Sequence, residues 1–84
     1  MNAKQRKTLK AIFEKPVRKN IAWNDIEGLF IGLGAEIANK GGSVVTIKMD
    51  GQPQTYHRPD REKEAPAYCV KNVREFLIEN GVTK

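Results

Sequence analysis

Ser43-Val44-Val45-Thr46-Ile47-Lys48-Met49, followed at once by Asp50-Gly51, is the stretch that decides the fold. Its β-branched residues predict a strand, and Asp-Gly is a dipeptide favoured in two-residue hairpin turns. Alternation puts Ser43, Val45, Ile47 and Met49 on one face, which suits a core, and Val44, Thr46 and Lys48 on the other. Lys48 then projects from an open face that Arg58 or His57 of the next strand can share. Upstream, Ala35-Glu36-Ile37-Ala38-Asn39 predicts a short strand, with Lys40-Gly41-Gly42 as its turn. Downstream, Gln54-Thr55-Tyr56-His57 predicts a third strand and completes an antiparallel meander. Arg58 to Pro66 is polar and bounded by prolines, and reads as a loop.

The flanks have helical periodicity. Leu9, Ile12 and Phe13 fall at i, i+3 and i+4, predicting an amphipathic helix over residues 3 to 15 that Pro16 stops. Asn24 followed by Glu27 has the spacing of a capping box, and Ile26, Leu29, Phe30 and Leu33 form one apolar face ending at Gly34. Trp23, beside this start, reads as a staple against the sheet or the last helix. Cys69, Val73, Phe76 and Leu77 mark a final helix from about Ala67 to Asn80, closed by Gly81. The expected architecture is α+β: a two-layer sandwich with helices on one face of a three-stranded antiparallel sheet.

Composition narrows the function classes. A chain of 84 residues has room for one modest core. Its single cysteine, Cys69, excludes an intrachain disulfide and, with one histidine, leaves no spacing for a metal site; no cofactor motif is present. The absence of a long apolar run or a signal-like N-terminus predicts a cytoplasmic protein with no membrane role. The net charge of +5 is unevenly spread. Residues 1–19 hold seven basic side chains against Glu14, and residues 20–84 hold eight against nine acidic ones. This divides the chain into a basic N-terminal helical extension, 1–19, and a near-neutral domain, 20–84. The extension reads either as a phosphate- or acid-binding arm or as a solvated helix docked by Leu9, Ile12 and Phe13.

The candidate chemistry centres on Tyr56-His57-Arg58-Pro59. His57 is the only histidine, the side-chain type best suited to acid/base work near neutral pH. Beside Arg58 and Arg61 it has the makings of metal-independent RNA cleavage: a base takes the ribose 2′-hydroxyl proton while cations stabilise the phosphorane. The plainer reading is a strand-end histidine that packs on Tyr56 or faces water. Gly41-Gly42-Ser43 can present N–H groups and a hydroxyl to a phosphate, with Lys40 and Lys48 nearby, or can be turn chemistry alone.

Trp23-Asn24-Asp25-Ile26-Glu27, Gly34-Ala35-Glu36, Gly42-Ser43, Tyr56-His57-Arg58-Pro59 and Val73-Arg74-Glu75-Phe76-Leu77-Ile78-Glu79-Asn80-Gly81-Val82, in this order, resemble the HicA family of bacterial toxins. The resemblance covers roughly residues 20 to 84. It implies a double-stranded-RNA-binding-domain-like (dsRBD-like) α-β-β-β-α fold, here with an extra N-terminal helix. It also implies ribosome-independent mRNA cleavage and neutralisation by a HicB-type antitoxin protein. The family's active histidine follows a Gly-Ser pair on the central strand, whereas Gly42-Ser43 is followed by Val44 and Val45. The expected catalytic residue is therefore His57, with Lys40, Ser43, Lys48, Arg58 and Arg61 as RNA contacts. A non-catalytic RNA-binding module and a protein-interaction module of the same fold are the alternatives.

Overall fold

The computed structural model of the chain describes residues 1–17, 20–58 and 63–83. Asp50 and Gly51 both take positive φ, 49° and 81°. This is the backbone of a two-residue turn whose twist matches the strands it joins. Pairing starts at once on either side of it, from Met49↔Gln52 to Val44↔His57. The elements in chain order are α1 (Ala3–Ile12), α2 (Trp23–Gly32), β1 (Glu36–Asn39), β2 (Val44–Met49), β3 (Gln52–His57) and α3 (Ala67–Glu79). The strands form an antiparallel sheet in the order β1-β2-β3. The α+β architecture of three helices and three antiparallel strands is as expected. β3 begins two residues earlier than its composition suggests, because the tight turn pairs Gln52 immediately and an outer strand tolerates Pro53.

The sheet has two unlike faces. Val45, Ile47, Met49 and Tyr56 are buried and share one core with Trp23, Ile26, Leu29 and Phe30 of α2 and Cys69, Val70, Val73, Phe76 and Leu77 of α3. Phe30 and Phe76 meet between the two helices with ring centroids 5.9 Å apart. On the open face the Thr46 and Thr55 hydroxyls approach to 3.3 Å, and Lys48, Thr55 and His57 are exposed. Ser43, expected on the core side, lies in the turn before β2 and is exposed.

α1 belongs to the same core. Leu9 and Ile12 are buried in it and Phe13 packs against it. The helix ends at Ile12 rather than near residue 15: Pro16 has no N–H to offer the Ile12 carbonyl, and a side chain of α3 takes that role. Arg74 of α3 donates from Nε to the Ile12 carbonyl at 2.8 Å and from Nη2 to the Glu14 carbonyl at 2.7 Å, with its guanidinium 6.0 Å from the centre of the Phe13 ring. A guanidinium thus takes the place of the next helical turn. At the other end Asn2 and Gln5 form a reciprocal capping box, and the Gln5 amide reaches on to the Gly28 carbonyl of α2 at 2.9 Å.

The start of α2 corrects the expected cap. Asn24 lies inside the helix, and the N-cap is Ala22, which makes no side-chain cap bond. The chain is held here by backbone pairing instead: Trp23 N–H donates to the Lys63 carbonyl at 3.0 Å, and Ala65 N–H to the Ile21 carbonyl at 2.8 Å. Glu27 is thereby released from capping and turns inward.

Candidate functional site

Alternation along β3 divides Tyr56-His57-Arg58 between the two sides of the sheet. Tyr56 points into the core, where its ring lies 5.6 Å from that of Trp23 and its hydroxyl is buried with no hydrogen-bond partner among the described residues. Burial raises its phenol well above the ordinary value, with the Cys69 and Glu79 charges adding to the effect, so Tyr56 remains a neutral packing group. His57 points the other way and is exposed. Pro59 and Arg61 lie outside the described residues.

Arg58 follows Tyr56 inward. Its guanidinium is largely covered, with the side chain 16 % exposed, and stands 4.0 Å from the Glu27 carboxylate. Glu27 also accepts the indole N–H of Trp23. From the same residue, Nη2 reaches the Gly42 carbonyl at 3.4 Å and the backbone N–H donates to the Ser43 carbonyl at 2.5 Å. Glu27 and Arg58 therefore tie α2 to the end of β3 and to the Gly41-Gly42-Ser43 turn. Arg58, expected to contact phosphate, has its guanidinium beside Glu27 and the Gly42 carbonyl, where it helps to hold the strand end. Glu27 was the hidden member of this set, since its spacing from Asn24 imitates a cap.

The turn is itself well used. Gly41 and Gly42 take φ of 107° and 55°, values that L side chains rarely adopt. The Gly41 N–H donates to Asn39 Oδ1 at 3.2 Å, and its carbonyl accepts from Val44 N–H at 3.1 Å. With the Gly42 and Ser43 carbonyls taken by Arg58, turn formation accounts for most of its polar groups, and Ser43 keeps its hydroxyl at the surface.

Register decides which candidates lie together. His57 is directly opposite Val44, so both side chains stand on the open face, with Cβ atoms about 5 Å apart as is usual for such pairs. On the far side of Val44, Lys40 donates its backbone N–H to the Val44 carbonyl at 2.9 Å. His57 and Lys40 thus flank Val44 from the two neighbouring segments of the chain, with Ser43 beside them. Lys48 does not join them. It is four residues farther along β2, about 13 Å away at 3.3 Å per residue, opposite Glu36 and Pro53. The signal that locates the Val44–His57 pair is the two-residue Asp50-Gly51 turn, from which the register can be counted.

Cys69 is buried, and desolvation pushes its thiol up to about 11. It is a packing residue rather than a nucleophile. Among the described residues no group of three or more histidine, cysteine, aspartate or glutamate side chains is arranged to hold a metal ion, and no helix is long and apolar enough to cross a membrane. Comparison with models of known protein families, with curated proteins and with solved structures finds no match to this chain.

Proposed function

We propose that this chain is a HicA-like, RNA-acting domain of dsRBD-like arrangement in which His57 supplies the acid/base group that the family carries after its Gly-Ser pair. The observation that carries this reading is the pairing of His57 with Val44. Val44 occupies the position of the family's histidine, and the cross-strand neighbour on the same open face is itself a histidine. The imidazole is thereby offered from β3 to the same patch of surface that the family serves from β2.

In this reading His57 takes the ribose 2′-hydroxyl proton as that oxygen attacks the adjacent phosphorus. The imidazolium then returns a proton to the departing 5′-oxygen, leaving a 2′,3′-cyclic phosphate. Lys40, on the other side of Val44, neutralises charge building on the non-bridging oxygens. Arg58 acts through position, keeping the end of β3 against the Gly42-Ser43 turn. An HicB-type antitoxin is the partner that would cover this face.

The test compares purified wild type with His57→Ala on RNA. Loss of cleavage by about 10²-fold or more is expected, the usual cost of removing a general acid or base. Equal cleavage by both proteins removes His57 from the mechanism. A second reading, RNA binding without cleavage, is favoured by the engagement of Arg58 with Glu27, which leaves fewer cations at the patch. It predicts salt-dependent binding by the wild type and no cleavage products.

A further inference from the structure

We infer that the outer face of α1 is a second RNA surface, a fixed array of lysines that takes the phosphate backbone while the bases and ribose lie elsewhere. The inference rests on RNA being the ligand class proposed above, but not on cleavage. α1 carries Lys4, Arg6, Lys7 and Lys10, all exposed, and no acidic residue. At 1.5 Å per residue, Lys4 to Lys10 extends about 9 Å along the helix axis.

Three observations separate this face from an ordinary solvated one. First, the cation in its first turn, Lys4, is badly placed for the helix itself, although Lys10 in the last turn suits the macrodipole. Cations near a helix N-terminus oppose the macrodipole, and the first turn of α1 has no carboxylate to offset them. The acidic groups nearby are Asp25 of α2, 3.7 Å from Lys4, and Glu14 just past the helix end. Second, the face is rigidly mounted. Leu9 and Ile12 are in the core, Gln5 is bonded to the Gly28 carbonyl, and Arg74 holds the Ile12 and Glu14 carbonyls. A polyanion meeting such an array orders little that is not already ordered. Third, residues 20–84 are near neutral and slightly acidic, so they exert no long-range pull on nucleic acid. The attraction has to come from the N-terminal segment.

A backbone-directed surface recognises charge spacing rather than sequence, so its signature is a salt slope. The probe is a fluorescein-labelled single-stranded oligouridylate, with affinity measured by anisotropy over a range of salt. Replacing Lys7 and Lys10 together by Gln should flatten the slope of log K against log salt by about 1.4, at about 0.7 per phosphate contact on a single strand, and weaken low-salt binding about tenfold. Lys63→Gln with Lys71→Gln removes the same charge from the near-neutral domain and should change the slope little. Thermal unfolding of each variant checks that the fold is kept.

The inference is overturned if Lys7→Gln/Lys10→Gln leaves slope and affinity unchanged, if the control pair lowers both equally, or if wild type does not bind the probe. Competition by polyglutamate as strong as by unlabelled RNA also overturns it and assigns the face to an acidic protein. Binding with the expected slopes but no cleavage supports this surface and defeats only the nuclease reading.

Discussion

Replacing Glu27 tests the most consequential contact in the molecule. Its carboxylate is buried, accepts the Trp23 indole N–H and faces the Arg58 guanidinium at 4.0 Å. In Glu27→Ala the indole N–H loses its acceptor while Trp23 is fully buried, a loss of about 1–3 kcal/mol. Arg58 loses its counter-charge as well. Because the guanidinium keeps the Gly42 carbonyl and some water contact, this adds only on the order of 1 kcal/mol. The expected total is about 2–4 kcal/mol, a large part of the 5–15 kcal/mol typical of natural domains. Glu27→Gln keeps an acceptor for the indole and loses only the charge, and should cost about 1 kcal/mol. Equilibrium urea unfolding followed by far-ultraviolet circular dichroism reads both. At about 1 kcal/mol per molar urea, the alanine midpoint should fall by 2 M or more and the glutamine midpoint by about half as much. Equal midpoints for the two variants, or a loss below about 0.5 kcal/mol for alanine, would refute the claim that Glu27 joins α2 to the end of β3.

Four further outcomes follow from particular residues. Arg74→Gln removes both bonds to the Ile12 and Glu14 carbonyls, so amide exchange in α1 should accelerate by about tenfold or more while β2 stays protected; uniform acceleration would count against a local clamp. Gly28→Ala places its new methyl in open space inside a helix and should stabilise by about 0.5–1 kcal/mol, raising Tm by several degrees, whereas Gly32→Ala drives a Cβ within 2.5 Å of the Gln5 amide and should give no such gain. The Cys69 thiol, ordinarily at 9.0 and held near 11 by burial, should react slowly with a disulfide reagent in the native protein at mildly alkaline pH and promptly in urea. The folded state keeps this proton longer than the unfolded chain, so its contribution is complete below pH 9 and is lost as pH rises towards 11, with Tyr56 acting in the same direction; urea midpoints that stay constant across that window would contradict it.

The elements could be read from residue patterns because each is specified locally. β-branched alternation over Val44 to Met49 and the apolar faces of α2 and α3 are one-dimensional signals, and the residues expected inside, such as Ile26, Phe30, Ile47 and Val73, are buried. The misplacements have a different origin. Asn24 and Glu27 have the spacing of a cap, but backbone pairing at Trp23 and Ala65 starts α2 without one. The end of α1 is braced by Arg74, whose partners lie 60 and 62 positions away in sequence. Within the candidate site, His57, Arg58 and Lys48 look alike in a chain of letters. Strand parity sends Arg58 inward, and register carries Lys48 to the opposite end of β2.

Trp23 gives the site an optical reporter with a useful blind spot. It is the only tryptophan in the chain, and it lies beneath the sheet against Tyr56, with Glu27 linking it to Arg58. A molecule seated over Val44 on the open face is separated from the indole by the thickness of β3. Quenching by contact from that face is therefore absent, and a change in emission on adding RNA that persists in Lys7→Gln/Lys10→Gln records movement of the strand that carries His57. Steady emission at saturating RNA marks docking onto a strand that was already in place.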